Sequence, residues 1–219
     1  MYGLCFFMGQ PMRTYVYVDG FNLYYRAVKN TPYKWLNIHQ LCQSLLPKNQ
    51  IIKIKYFTAL ITARQDDPGK VVRQQVYLRA LKTLPNCEII YGFYLSKETY
   101  MPVAGCAPGA QQFVKVIRTE EKGSDVNLAA HLVADGFKGE YEVAVVVSND
   151  SDLVEPVRIV RQDLGLPVVV LNPNPKKPAF ALKHAASFVK PIRQGALRSS
   201  QFPPVLEDSF GTFFKPESW

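Results

Sequence analysis

Val143-Ala144-Val145-Val146-Val147-Ser148-Asn149-Asp150-Ser151-Asp152 is the stretch that decides the fold. Its first five residues are all apolar and lack the polar alternation of a half-exposed strand. A run of this kind is typical of a central strand in a parallel sheet, which helices cover on both faces. Polar residues follow at once, two of them aspartates. Because ligands of open α/β sheets bind at the carboxyl ends of the strands, these aspartates stand where a site is expected.

Other apolar runs predict further strands, and segments with helical spacing separate most of them. The predicted strands cover residues 14–18, 51–60, 88–94, 143–148, 167–171 and 187–190. The predicted helices contain residues 41–46, 71–81, 126–133 and 153–164, the last ending at Gly165 with a positive φ. Alternation of this kind predicts an α/β fold built of βαβ units, with a mostly parallel central sheet.

Two regions do not fit this alternation. Residues 96–112, rich in Gly, Pro and Ala, are expected to form a long loop or a hairpin that borders the site. Residues 193–219 are expected to be a C-terminal tail that is either weakly ordered or docked through its aromatic side chains. The apolar N-terminus has no basic region or cleavage site, and we expect translation to begin at Met12.

Composition limits the classes of function. The 219 residues suffice for one domain with a full core, and the formal net charge is +8. That charge favours nucleic acid first and an anionic membrane second, with a generic solubility charge as the alternative. No apolar stretch reaches the roughly 18 residues of a transmembrane helix. Four cysteines without a CxxC pair indicate reduced thiols and a cytoplasmic location.

Four aspartates are the candidate site residues: Asp19, Asp125, Asp150 and Asp152. Asp19 ends the first predicted strand and enters a tight turn, where a bare charge is costly without a partner. Each of the four also has a structural alternative. Asp152 either caps the next helix or binds a metal ion, and Asp125 is stabilised at a helix start whether or not it has a function.

The chemistry of such a cluster indicates a divalent cation. Carboxylates gathered in one pocket raise each other's pKa values, and a cation removes that cost. Oxygen ligands without His or Cys suit Mg²⁺ or Mn²⁺, which activate water for attack on phosphorus. Asn22 is a candidate for holding a metal-bound water or phosphate. Lys122, Ser148 and Asn149 are candidates for contacts to phosphate, with a solvated lysine and turn-shaping side chains as the alternatives.

Three blocks of sequence resemble the signature blocks of the NYN domain, which belongs to the PIN-like nuclease superfamily and includes the LabA-like proteins. They are Tyr17-Val18-Asp19-Gly20-Phe21-Asn22-Leu23-Tyr24, Glu121-Lys122-Gly123-Ser124-Asp125-Val126 and Val147-Ser148-Asn149-Asp150-Ser151-Asp152-Leu153. The resemblance spans residues 13–192 and implies a PIN-like three-layer α/β/α sandwich with a metal-dependent ribonuclease site. It implies that Asp19, Asp125, Asp150 and Asp152 are catalytic metal ligands, that Asn22 is the polar catalytic residue, and that the partners are RNA and a second copy in a homodimer.

Two positions depart from the family pattern. Many LabA-like members carry an acid where this chain has His131, which either pairs with Asp135 one helical turn later or is a partly exposed histidine without a role. Many relatives also have glycine where this chain has Asn149. Glu120 and Glu121 lie either near the metal or, by default, in solvent.

The leading functional prediction is a Mg²⁺- or Mn²⁺-dependent ribonuclease. The alternative is a non-catalytic RNA-binding or regulatory module on the same fold. A phosphatase ranks lower, because Asp19-Gly20-Phe21 lacks the second aspartate of haloacid-dehalogenase-type enzymes. The phosphate-loop pattern GxxxxGK[ST] and the dinucleotide pattern GxGxxG are both absent from the sequence, which argues against an ATP- or NAD-dependent enzyme.

Overall fold

The computed structural model describes residues 11–62, 67–105 and 111–219. The strands in these ranges are β1 (Met12–Asp19), β2 (Asn49–Thr58), β3 (Cys87–Tyr91), β4 (Phe93–Pro102), β5 (Phe113–Lys122), β6 (Val143–Val147), β7 (Val168–Asn172), β8 (Phe188–Pro191), β9 (Val205–Asp208) and β10 (Gly211–Phe214). The α-helices are α1 (Gly20–Leu23), α2 (Ile38–Leu45), α3 (Lys70–Lys82), α4 (Ser124–Phe137), α5 (Val154–Arg158), α6 (Phe180–Ala185) and α7 (Gln194–Ser199). Wider π-helical turns, Tyr24–Val28 and Ile159–Asp163, extend α1 and α5.

The central sheet has six strands in the order β3-β2-β1-β6-β7-β8, and every neighbouring pair is parallel. All six contain or overlap the runs predicted from the sequence. Strand β6 is buried along its whole length between β1 and β7, as its unbroken apolar run requires. The predicted end of the fourth helix is also confirmed, since Gly165 has a φ of +68°.

Two apolar layers cover the faces of the sheet. One packs Val16 and Val18 of β1 against α2, α3 and the C-terminal segment, and the other packs Tyr17 and neighbouring strands against α4, α5 and α6. Alternate residues of one strand thus enter different layers, as the two-residue period of a strand dictates. The arrangement confirms a three-layer α/β/α sandwich with a parallel central sheet.

The region predicted as one strand over residues 88–94 divides at Gly92. Strand β3 joins the central sheet, whereas β4 leaves it and pairs antiparallel with β5 from Phe93↔Lys122 to Pro102↔Phe113. A side chain at Gly92 would lie 2.5 Å from the Lys122 carbonyl oxygen, so the two chain segments approach too closely there for a Cβ atom. A loop or a hairpin was expected over residues 96–112, and the antiparallel β4–β5 pair shows the hairpin. Strand β5 leads directly into α4.

The C-terminal segment departs from the expected weak order and shows the alternative, aromatic docking. It forms α7 and the β9–β10 hairpin, and it buries Phe202 and Phe213 against Trp35. The indole N–H of Trp35 donates to the Pro203 carbonyl at 2.8 Å. Trp219 completes the cluster, 6.3 Å from the ring of Trp35.

A buried ion pair links the sheet to α4. The Lys55 ammonium on β2 donates to Asp135 Oδ2 at 2.6 Å, and the Tyr17 hydroxyl on β1 donates to the same oxygen at 2.7 Å. The Lys55 and Asp135 side chains are each 9 % exposed. His131 does not pair with Asp135; its Nδ1 atom lies 3.1 Å from the Lys55 ammonium, and its ring packs on Phe57. The sequence analysis expected His131 either to pair with Asp135 or to have no role, and neither expectation describes this contact with Lys55.

In the described ranges, no helix is long and apolar enough to cross a membrane. Cys42 and Cys87 are free thiols, as expected from the spacing of the cysteines. Cys5 and Cys106 lie outside the described residues. Residues 1–10, which the expected translation start at Met12 would exclude from the protein, also lie outside them.

Replacing Lys55 tests the buried ion pair. Lys55→Met leaves the Asp135 carboxylate buried without its cation, and we expect the free energy of unfolding to fall by about 3–5 kcal/mol. Urea denaturation measures this change. The matched control is Lys53→Met on the same strand, whose ion pair with Glu88 is 35 % and 45 % exposed and should contribute about 1 kcal/mol or less.

A second change separates the unpaired charge from lost packing. Lys55→Met/Asp135→Asn removes both charges and keeps an acceptor for the Tyr17 hydroxyl, so it should recover most of the lost stability. Equal effects of Lys55→Met and Lys53→Met would contradict the assignment of a structural role to the buried pair.

Candidate active site

Two neighbouring strands bring the first and third sequence blocks together. Val18 of β1 pairs with Val147 of β6, so Asp19 and Ser148 follow at the same edge of the sheet. The Ser148 hydroxyl donates to Asp19 Oδ2 at 2.9 Å and accepts the Asp150 backbone N–H at 3.1 Å. One serine thereby ties the aspartate of the first block to the turn of the third.

Asp19 is fixed from both sides of its carboxylate. Its Oδ1 atom accepts the backbone N–H of Asn22 at 2.9 Å and thereby caps α1. The Asn22 side-chain oxygen in turn accepts the Asn149 N–H at 3.2 Å, a second link between the blocks. Only 5 % of Asp19 is exposed, so its carboxylate lies largely away from water.

Asp125 lies in the first turn of α4, as the sequence predicts. The helix begins after Gly123, whose φ of +95° turns the chain out of β5. Glu121 holds this start in place: its Oε1 atom accepts both the N–H and the hydroxyl of Ser124, at 3.1 and 2.7 Å. Glu121 is therefore not a solvated loop acid. Its carboxylate caps the start of α4, a role that differs from the metal ligand considered for it.

The capping role considered for Asp152 belongs to Asp150. Asp150 Oδ1 accepts the backbone N–H of Asp152 at 3.0 Å and starts the short 3₁₀ turn Ser151–Leu153. Asp152 lies inside that turn and is exposed. The correction has a simple cause: a cap stands before the first helical residue, and the turn begins two residues earlier than the apolar spacing indicates.

The charges of neighbouring acids help to raise the pKa values of Asp19 and Asp125. Burial is the main cause that raises the pKa of Asp19 to about 6, and the charges of Asp125 and Asp150 raise it further against the lowering effect of the Asn22 N–H and Ser148. Burial also raises the pKa of Asp125, followed by the charges of Asp150, Glu121 and Asp152. The hydrogen bonds from the Asn22 N–H and Ser148 therefore do not fully compensate the effect of burial and neighbouring charge on Asp19.

The carboxylate oxygens of the cluster are the type of ligand that a hard cation prefers, but they do not form a complete set of metal ligands. Among residues 11–62, 67–105 and 111–219, no group of three or more His, Cys, Asp or Glu side chains is placed to hold a metal ion. The acids that meet here offer oxygen only, and the repulsion between charges that helps to raise the pKa values of Asp19 and Asp125 is a cost that a divalent cation would relieve. The residues thus suit Mg²⁺ or Mn²⁺ by charge and ligand type.

The three phosphate candidates have different surroundings. Lys122 is exposed at the end of β5, where its ammonium lies 3.1 Å from Glu120. Ser148 is fully buried, which favours the turn-shaping alternative. Asn149 also favours that alternative, because its amide donates to the Lys177 carbonyl at 2.9 Å and accepts the Ala179 N–H at 2.8 Å.

The sequence prediction missed an aromatic pocket beside this cluster. Tyr56 of β2 lines it together with Gly20 and Phe21 of the turn that follows Asp19. No signal in the sequence joins these residues, because the pocket also takes side chains from α3 and Trp219.

A single signal was available for the buried ion pair, namely two lysines inside the apolar run of β2.

A parallel α/β/α sandwich with acids at the carboxyl ends of its two central strands defines a PIN-like domain. The sequence profile of the NYN domain matches residues 13–192, and the chain belongs to the NYN domain family. NYN domains are part of the PIN-like nuclease superfamily, so the resemblance drawn from the three sequence blocks is confirmed.

Two similar proteins place the chain among known sequences and structures. A Pseudomonas putida (strain DSM 28022 / S16) protein named 6-hydroxy-3-succinoylpyridine 3-monooxygenase HspA is 32% identical over 238 aligned positions, which cover 96% of this chain and 76% of that protein. A protein of unknown function from Vibrio parahaemolyticus RIMD 2210633 has a similar structure. Its TM-score is 0.55 at 16% identity, and the match covers 84% of this chain and 95% of that one. The second likeness shows the fold alone.

Neutralising Asp19 is expected to stabilise the protein. The folded pKa of Asp19, about 6, lies above its unfolded value of 3.8, so its contribution to stability is present below pH 4 and is lost as the pH rises through 6. Asp19→Asn keeps an acceptor for the Asn22 N–H and removes the charge. At pH 7.5 without divalent cations, it should raise the free energy of unfolding by roughly 2–3 kcal/mol.

Chemical denaturation at pH 4 and pH 7.5 in EDTA measures the effect as the difference between variant and parent. The control Asp152→Asn removes an exposed charge and should change stability little. A loss of stability in Asp19→Asn at pH 7.5 would contradict the raised pKa.

Proposed function

We propose that the chain is a metal-dependent ribonuclease that hydrolyses RNA phosphodiester bonds. The observation that carries the proposal is the hydrogen-bonded junction of two sequence blocks, in which Ser148 joins Asp19 to the Asp150 turn at the edge of the sheet. Membership of the NYN family supports the same reaction class. The net charge of +8 suits a polyanionic substrate such as RNA.

The proposed roles follow from the positions of the side chains. Asp19, Asp125, Asp150 and Asp152 would hold Mg²⁺ or Mn²⁺, which when bound supplies an activated water and neutralises charge on the phosphate. Asn22 and Ser148 position Asp19 and the adjoining turn through their hydrogen bonds. Lys122, exposed at the end of β5, would meet a phosphate oxygen in this role.

The alternative on the same fold is a non-catalytic RNA-binding or regulatory module. The incomplete ligand shell among the described residues is the observation that favours it. Such a module would bind RNA in a salt-dependent manner, and its affinity would survive neutralisation of the aspartates. Measurement of binding and cleavage in the same variants therefore separates the two functions.

A second candidate function follows from the Pseudomonas putida relative, whose name describes oxygen transfer to a pyridine compound. The identity of 32% over 96% of this chain is the observation in its favour. Incubation with 6-hydroxy-3-succinoylpyridine, air and a two-electron reductant, followed by mass spectrometry, tests it. Ribonuclease activity stands first because the acidic cluster and the family profile both support it.

Cleavage of labelled single-stranded RNA in Mn²⁺ or Mg²⁺ tests the main proposal. We expect cleavage that EDTA abolishes, and a fall of at least about a hundredfold in Asp19→Asn and in Asp150→Asn. Asparagine is as good a helix cap as aspartate, so both variants keep the N–H contacts at Asn22 and Asp152 while losing the charge. Loss of activity then reports the charge rather than the local fold.

Asp163→Asn is the matched control, since Asp163 is an exposed acid at the far end of the helical segment after Asp150. It should cleave RNA at the parent rate. Intact RNA with the parent protein in Mn²⁺ would reject the ribonuclease in favour of the binding module. Equal cleavage by the parent and Asp19→Asn would reject the aspartates as its site. The expected homodimer and cytoplasmic location stay predictions.

A further inference from the structure

The loop that joins β7 to α6 lies beside the turn that carries Asp150. Strands β6 and β7 are parallel neighbours and pair as far as Val147↔Leu171, so the residues that follow both strands emerge at the same edge of the sheet. The loop covers residues 173–179 and contains three prolines and two adjacent lysines, Lys176 and Lys177. A basic segment therefore borders the acidic cluster.

We propose that Lys176 and Lys177 bind a backbone phosphate of RNA next to the phosphate acted on at the aspartates, and that the Asn149 side chain positions their loop. This role rests on the proposed function, which supplies RNA as the ligand. Its evidence is separate, because it comes from the loop and not from the acids. The lysines are the binding residues of the arrangement, and Asn149 is a positioning residue.

Asn149 connects three segments of the chain. Its backbone N–H donates to the Asn22 side-chain oxygen at 3.2 Å, which links it to the turn after Asp19. Its side-chain amide donates to the Lys177 carbonyl at 2.9 Å, and its side-chain oxygen accepts the Ala179 N–H at 2.8 Å. The loop thus uses both the donor and the acceptor of this side chain, so Asn149 holds backbone rather than phosphate.

Hydrogen bonds within the loop stabilise the same conformation. The Asn172 side-chain oxygen accepts the Asn174 N–H at 2.7 Å, and the Asn174 carbonyl accepts the Lys177 N–H at 3.2 Å. Asn172 is only 4 % exposed, so the first of these bonds starts from the buried end of β7. The prolines restrict φ along the loop and lower the entropy that it loses on ordering. The loop is therefore pre-organised for a ligand.

The charges of the two lysines are not compensated by the fold. Both side chains are exposed, and neither forms an ion pair with any residue in ranges 11–62, 67–105 and 111–219. Lys122 differs, because its ammonium lies 3.1 Å from Glu120. A lysine without an acidic partner meets a phosphate without first giving up an ion pair. The loop therefore offers RNA two cations that the described residues do not already use.

Positive charge at this position has a physical reason. The carboxylates of the cluster repel every phosphate of an approaching strand, whereas a bound metal ion neutralises only the phosphate that it holds. Cations beside the cluster hold the next phosphate along the strand against that repulsion. An RNA strand that crosses this edge of the sheet meets the acids after β6 and the lysines after β7.

Lysines on a surface loop are also found without any ligand, as solvated side chains. In that case Lys176 and Lys177 contribute to RNA binding only through the net charge of the protein. Removal of any two exposed lysines would then weaken binding equally. A charge-matched control therefore distinguishes a phosphate site from a generic positive charge.

Fluorescence anisotropy with a labelled single-stranded RNA oligonucleotide tests the two lysines. Titrations in EDTA, at KCl concentrations from about 50 to about 300 mM, give the slope of log affinity against log salt. Each phosphate contact on a single strand contributes about 0.7 to the size of this slope. Lys176→Gln/Lys177→Gln should therefore reduce it by about 1.4 and weaken binding at low salt about tenfold.

Lys48→Gln/Lys138→Gln is the charge-matched control. Both lysines are exposed and form no ion pair in the described part of the chain. They lie at the opposite edge of the sheet, since Lys48 directly precedes β2 and Lys138 directly follows α4. The control removes the same net charge, but screening by salt limits its effect on a distant contact. Its slope and affinity should stay close to those of the parent.

A double-mutant cycle tests the positioning role of Asn149. Asn149→Ala removes both side-chain bonds to the loop without a change of charge, and it should reduce the slope by about 1. In this background, Lys176→Gln/Lys177→Gln should reduce the slope further by less than about half of its effect in the parent. A merely structural role would leave the two effects additive. Gln43→Ala removes a side-chain bond to the Asn49 carbonyl at the opposite edge and should keep the parent slope.

An equal slope in the parent and in Lys176→Gln/Lys177→Gln would overturn the phosphate site, as would an equal fall in the charge-matched control. Full additivity with Asn149→Ala would overturn its positioning role. Because the titrations contain no metal and read no cleavage, they are independent of the ribonuclease assay. A parent that binds RNA through the loop but never cuts it keeps this site and loses the ribonuclease. A parent that cuts RNA with a slope independent of the loop keeps the ribonuclease and loses this site.

Discussion

The parallel pairing of β1 with β6 is the constraint on which the rest of the structure depends. Strand β6 follows β1 by more than a hundred residues, yet the two lie side by side from Thr14↔Val143 to Val18↔Val147. Because both strands run the same way, they end at the same edge, and Asp19 meets Ser148 without any special loop. The five buried residues of β6 enforce this placement, since only a central position covers both faces of the strand.

The buried aspartates Asp135 and Asp19 differ in whether a nearby cation compensates their charge. Asp135 is paired with the Lys55 ammonium and the Tyr17 hydroxyl, so its charge is matched inside the fold. Among the described residues, Asp19 receives an N–H and a hydroxyl but pairs with no cation, and its pKa is raised to about 6. A charge that the fold leaves unmatched is costly to stability, and retention of that cost is typical of functional sites. The contrast singles out Asp19 more strongly than its position alone.

The strands and the acids were predictable because both depend on local sequence. An apolar run without alternation identifies β6, and acids directly after such runs mark strand ends at one edge. The partners in the Lys55–Asp135 pair and in the docking of Phe202 on Trp35 were not predictable, because each contact joins side chains that only the tertiary fold brings together. Asp150 took the capping role considered for Asp152 because the apolar spacing does not show where a turn begins. The Tyr56 pocket was missed for the same reason as the pairings, since it combines four separate parts of the chain.

The sheet order has a consequence for how the site is held together. Strands β1, β2 and β3 form one half of the sheet and β6, β7 and β8 the other, and β1–β6 is the seam between them. Asp19 belongs to the first half, whereas Asp125 and Asp150 come from chain beyond the β4–β5 hairpin. Fragments divided between β4 and β5 would each carry part of the acid cluster and neither the whole. The charge cluster is therefore a property of the joined halves, and a slip along the seam would separate its members.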